Sequence, residues 1–131
     1  MRRVIAKTNL YSIEIDTAKN RAYLIFIGFC RGPEEIPNLL NDVKKACQGL
    51  KRGFTLLTDA SQMKVSPQEV VEIQQKSQQI WIEGGLSKTA EVMSENIVVR
   101  LALDRCSQTT GMAKKNFNTL KDAEAWLDLT P

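Results

Sequence analysis

Apolar and polar residues change their spacing several times along the chain, and each change marks a predicted element. Tyr11 to Asp16 alternates, with Tyr11, Ile13 and Ile15 on one side and Ser12, Glu14 and Asp16 on the other, which predicts an edge strand. After a polar turn at 17–20, Arg21 to Cys30 is apolar on both faces, with Tyr23, Ile25, Ile27 and Phe29 against Leu24, Phe26 and Gly28. A strand of that kind is covered on both sides. The period then lengthens. Ile36, Leu39, Leu40, Val43, Ala46, Cys47 and Leu50 recur at helical spacing, with Pro33 to Ile36 readable as a separate tight turn and Gly49 or Gly53 as the stop. Phe54 to Thr58 is the next predicted strand, so a strand, helix and strand follow one another at the length of a parallel crossover.

That strand runs into Asp59-Ala60-Ser61-Gln62-Met63-Lys64-Val65, and Ser66-Pro67-Gln68-Glu69 reads as a helix start. Ser66 is expected as N-cap, Pro67 as the first helical residue and Glu69 as the partner that closes a capping box. The helix carries Val70, Ile73, Ser77, Ile80 and Trp81 inward, and Gly84-Gly85 stops it. Lys88 to Met93 is a short strand. Ile-Val-Val-Arg-Leu-Ala-Leu at 97–103 is rich in β-branched residues, yet it follows Ser94 and Glu95, and a strand there would need an unusually short turn. We read Glu95 to Ser107 as a helix with Arg100 and Asp104 paired four apart on its polar side. Thr109-Thr110-Gly111 ends it, Ala113 to Phe117 forms a last strand, and Thr119 opens a final helix holding Ala123, Trp126 and Leu127. Residues 1–10 show no clear period and are read as an N-terminal arm, leaving 11–131 as a single α/β domain.

Composition narrows the chemistry more than it names it. At 131 residues and 43% apolar the chain can bury a core without staples. Its longest uncharged apolar run, Ala22 to Cys30, falls well short of the roughly 20 residues of a membrane helix. The first ten residues have charge but no apolar segment followed by a small-residue cleavage site, so a cytoplasmic location is expected. Histidine is absent, which excludes Ser-His-Asp and Cys-His nucleophile chemistry and His-ligated zinc. Cys30, Cys47 and Cys106 are odd in number and far apart, as reduced, buried residues would be. No cofactor is indicated. The net charge of +3 is modest, and the densest basic cluster, Lys44, Lys45, Lys51 and Arg52, lies where cations complement a helix dipole, so no nucleic-acid partner is expected.

The element order, with the closing Phe117-Asn-Thr-Leu-Lys-Asp-Ala-Glu-Ala-Trp-Leu127, resembles the STAS/SEC14-type domains grouped as anti-sigma-factor-antagonist-like, or SpoIIAA-like, proteins, over roughly Tyr11 to Leu129. The resemblance implies a mixed sheet of four to five strands with about four helices packed on it. It also implies a non-catalytic role in partner switching or in holding an apolar ligand. In phosphorylatable members the equivalent strand runs into Asp-x-Ser and then an Asp-Ser-Ser-Gly whose serine is modified. Here Asp59-Ala60-Ser61 matches the first half, and Ser66-Pro67-Gln68-Glu69 replaces the second.

In an open α/β sheet the carboxyl ends of strands face the crevice where ligands and partners dock. Asp59, Ser61, Ser66 and Glu69 are therefore the candidate surface for a protein partner, or for self-association as a homodimer. A phosphate on Ser66 would meet a helix N-terminus; the plainer roles are an N-cap for Ser66 and local turn bonds to backbone N–H groups for Asp59 and Ser61. The alternative function is a carrier or sensor of a small apolar or lipid-like ligand. Met63, Trp81, Met93 and Met112 are the candidate pocket wall, because methionine adapts to irregular shapes.

Overall fold

The computed structural model describes residues 2–129. The alternating and doubly apolar segments become adjacent strands, and the helical periods become helices. In chain order the elements are β1 (Arg3–Lys7), β2 (Tyr11–Asp16), β3 (Arg21–Gly28), a 3₁₀ turn (Pro33–Glu35), α1 (Leu39–Gln48), β4 (Thr55–Met63), α2 (Gln68–Glu83), β5 (Lys88–Val92), α3 (Ile97–Thr110), β6 (Lys114–Phe117) and α4 (Leu120–Asp128). The strands form one six-stranded sheet in the order β1-β2-β3-β4-β5-β6. The pairs β1–β2 and β2–β3 are antiparallel, and β3 to β6 run parallel. The mixed α/β class is the expected one, and the sheet has one strand more than the four to five expected.

The extra strand is β1. Arg3–Lys7 pairs with β2 instead of trailing as an arm. Its register shifts between Val4 and Ala6, and its residues are exposed or half-buried, so no clean alternation was there to read.

Successive crossovers that step in one direction with the same hand place their helices on the same face. Accordingly α1 and α2 pack on one face over Tyr11, Ile13, Ile15, Ala22, Leu24 and Leu56, where Trp81 meets Phe54 edge to face with ring centroids 5.9 Å apart. Next to them α3 packs Val99 and Leu103 over Ala60 and Met63. The opposite face has α4, whose Ala123 and Leu127 pack on Tyr23, Leu57, Ala90 and Val92. Buried Arg21 ties that helix to β3 through hydrogen bonds to Glu124 and, at 2.9 Å, to Asp128.

Pro33–Glu35 is a separate turn ahead of α1, as the proline positions suggested, and Gly49 caps the helix. The segment after Ser94 is a helix. Its N-cap is Asn96, whose side chain accepts from the Val98 N–H, while Ser94 Oγ accepts from the Asn96 N–H just upstream. Its end is Gly111 at φ 78°, the left-handed conformation that glycine adopts at no steric cost. Thr119 caps α4 by accepting from the Asp122 N–H.

All three cysteines are free, but only Cys106 is buried as expected; Cys30 and Cys47 are half-buried. Burial pushes their thiols up, that of Cys47 to about 11, so at neutral pH they act as small apolar residues. Lys44, Lys45, Lys51 and Arg52 are all exposed. Among the described residues no helix is long and apolar enough to cross a membrane.

Candidate functional site at the carboxyl ends of the parallel strands

Asp59, Ala60 and Ser61 were expected in a turn after the strand. They lie inside it, because β4 continues to Met63. The pairing with β3 steps from Ile25 opposite Asp59 to Ile27 opposite Gln62, so three residues of β4 advance where β3 advances two. That is a β-bulge. Asp59 Oδ1 holds it, accepting from the Ser61 N–H at 3.0 Å and from Ser61 Oγ at 2.6 Å. The turn chemistry expected of these two side chains is present, spent on a bulge that leaves Asp59 buried and Ser61 in solvent.

Ser66 does not cap the following helix. The N-cap is Pro67, extended at φ −62° and ψ 161°, with no side-chain cap bond, and its carbonyl accepts from the Val70 and Val71 N–H groups. A residue before proline is pushed into extended backbone, and here Pro67 stays extended too, so helical geometry begins at Gln68 and Ser66 falls outside it. Its half-buried hydroxyl instead accepts from Gln74 Nε2 at 3.5 Å. Glu69 therefore closes no capping box. It is exposed in the first turn, where its charge favours the helix dipole.

The candidate pocket residues are scattered. Met112 borders an open recess of about 400 Å³ beside α3 and β6; otherwise Trp81 and Met112 share one cavity of about 20 Å³, and Met63 borders others of about 20 and 10 Å³ together with Ser66 and Gln74. Spaces of that size hold a single water. Half-buried Met93 follows β5 and borders none of the cavities described.

Two features of this end were not singled out from the sequence. One is an exposed apolar surface. Phe29 follows β3, Val65 follows β4, and Ile97, Val98 and Leu101 form the outer side of the first turns of α3; all are exposed. The Lys64 N–H donates to the Gly28 carbonyl at 3.0 Å, holding the two strand extensions together, and Val65 borders a cavity of about 10 Å³ with Val99, Ala102 and Leu103 of the inward side of α3. The signal was present in Ile-Val-Val-Arg-Leu-Ala-Leu, a run too broadly apolar for a helix that buries only one stripe. The other is a recess of about 280 Å³ on the α4 face, bordered by Tyr23, Ile25, Leu57, Leu120, Arg2 and Asp59. At its edge the Arg2 guanidinium lies 3.5 Å over the Tyr23 ring. The Tyr23 hydroxyl donates to Glu124 Oε1 at 2.8 Å, and burial, with that bond, pushes the phenol up.

The architecture is thus a mixed sheet flanked by three helices on one face and one on the other, with an apolar, bulged carboxyl end. Neither a family profile nor a curated protein matches the chain. Among solved structures it is similar to the crystal structure of an uncharacterized protein of the DUF3478 family with a SpoIIAA-like fold, from Shewanella loihica PV-4. The match has a TM-score of 0.65 at 14% identity and covers 93% of this chain and 97% of the other. The fold is SpoIIAA-like, the one implied by the element order together with the Phe117 to Leu127 tail.

Proposed function

We propose that this chain is a non-catalytic regulatory domain that binds a protein partner at the carboxyl ends of its parallel strands, on the surface running from Ser61 and Glu69 to the first turns of α3. The observation that carries the reading is the number of exposed apolar side chains at this end of the sheet, Phe29, Val65, Ile97, Val98 and Leu101. Exposed apolar residues are ordinary singly, but gathered across three segments and rimmed by polar groups they mark interaction surfaces. Ser61, exposed on the bulge, and Glu69 supply such a rim. A photo-crosslinking amino acid placed at Val98 in the cells of origin tests this, with Lys51 at the amino end of the sheet as the control position. We expect discrete protein adducts from Val98 and none from Lys51. Matching adduct patterns from both positions, or none from Val98, would sink the proposal.

The recess beside Asp59 favours a second reading, carriage of a small amphipathic ligand. It approaches the lower end of the size range for small-molecule sites and joins apolar walls, Ile25 and Leu57, to the charges of Arg2 and Asp59. Native mass spectrometry of freshly purified protein is expected to show a bound species that Leu57→Trp excludes by filling the recess. A clean unliganded mass for the wild-type chain would end this reading.

A further inference from the structure

At the far end of α3 from Ile97, a recess of about 400 Å³ opens between the helix and the edge strand β6, bordered by Asp104, Ser107, Gln108, Met112, Lys114 and Asn116. It is broad and largely open to solvent. The polar groups here come from elements far apart in sequence, and they are of two kinds.

The first is a charged cluster. The Lys114 side chain is 5% exposed and lies between two carboxylates, with its Nζ 3.1 Å from Glu91 Oε2 and 2.7 Å from Asp104 Oδ1. Asn116 Nδ2 also donates to Asp104 Oδ1, at 3.1 Å. One ammonium is thus matched against two carboxylates, and the ionised cluster carries a net charge of −1. Lys114, bonded on both sides, acts as a positioning residue that fixes Asp104 at the recess wall.

The second is a pair of unused acceptors. Ser107 is only 6% exposed, and its hydroxyl has no hydrogen-bond partner among the described residues. Asn116 Oδ1 is likewise buried and unpartnered. Buried polar oxygens are nearly always bonded, so two unpaired ones just beneath the surface of one recess, on residues that line it, call for an explanation. They sit on different elements, one on α3 and one on β6, with Asp104 in the same wall.

We propose that this recess binds a small organic cation of the guanidinium type. A guanidinium offers several N–H donors in one rigid plane and so can serve acceptors on two elements at once, while its charge offsets the excess of the carboxylates. A phosphate or carboxylate ligand would add to that excess. Among the described residues, no group of three or more His, Cys, Asp or Glu is placed to hold a metal ion, which favours an organic cation over a metal.

Titration of ¹⁵N-labelled protein with n-butylguanidinium chloride, reading amide shifts, tests the proposal. Saturable shifts are expected at Ser107, Gly111 and Asn116, with millimolar or tighter affinity, and none from n-butylurea, the neutral analogue of the same shape. Asp104→Asn and Ser107→Ala should each weaken binding about tenfold or more. Ser107→Ala removes an unpartnered hydroxyl and leaves the charged cluster whole, so it remains informative if Asp104→Asn fails to fold. The proposal is overturned if no shift saturates by about 10 mM, if butylurea shifts the same amides equally, or if Ser107→Ala binds like wild type.

Discussion

Replacing Lys114 with methionine is expected to destabilise the protein by about 3–5 kcal/mol, the usual cost of removing one partner from a buried ion pair. Methionine matches the lysine stem in volume, so packing changes little and electrostatics carries the loss. Glu91, at 4% side-chain exposure, would be left as a buried carboxylate without its cation. Burial already pushes the Glu91 carboxyl up, and Lys114 draws it part of the way back. A carboxyl whose native value lies above its unfolded one keeps its contribution at low pH and loses it as pH rises. Deleting Lys114 lifts the native value further, so the deficit of Lys114→Met should be larger at about pH 8 than at about pH 5. Asp104 has the opposite sign: burial raises it, but the hydrogen bonds from Lys114 and Asn116 outweigh that and hold it low. In wild type its contribution is therefore lost as pH falls through that lowered value. Urea unfolding at the two pH values, with Lys114→Met/Glu91→Gln alongside, measures both effects. The double variant should regain part of the lost stability, and a deficit that is flat with pH and not relieved by Glu91→Gln would refute the account.

Trp81→Ala should cost about 3–5 kcal/mol, because a large side chain 1% exposed leaves a cavity that its neighbours cannot collapse to fill. The edge-to-face contact with Phe54 disappears with it. The indole N–H has no hydrogen-bond partner, so Trp81→Phe forfeits no bond and should cost well under half as much. Unfolding curves followed by circular dichroism would compare the two, and equal losses would mean that the indole nitrogen matters more than the volume it accompanies.

The elements that could be read from the sequence are those whose pattern matches their burial. α1 and α2 show helical periods and glycine stops, and α4 adds a threonine cap. The β-branched run at Ile97 resolved correctly to helix because there was no room for a turn before it. β1 was missed because an edge strand with an irregular register need not alternate. The end of β4 was misplaced because aspartate and serine, the usual residues of turns, here stabilise a bulge. Asp104 was matched to Arg100 by helical spacing. In the fold Asp104 bonds Lys114 and Asn116, while Arg100 Nε donates to the Ser94 carbonyl. The cluster of Glu91, Asp104 and Lys114 could not be read locally, since only the side-by-side placement of β5 and β6 under α3 creates it.

The strand order of the sheet repeats the order of the chain, and that has a consequence for biosynthesis. As the polypeptide leaves the ribosome, each new strand can dock on the edge left by the one before, without waiting for a later segment to insert between them. The helix face can close progressively in the same way, α1 first and α3 last. The other face cannot. Tyr23 and Leu57 emerge early but gain their cover only when α4, made after all six strands, folds back and its Glu124 and Asp128 reach Arg21. Nascent chains stalled before α4 would thus hold a nearly complete sheet with one apolar side bare, a surface open to aggregation until the helix is made.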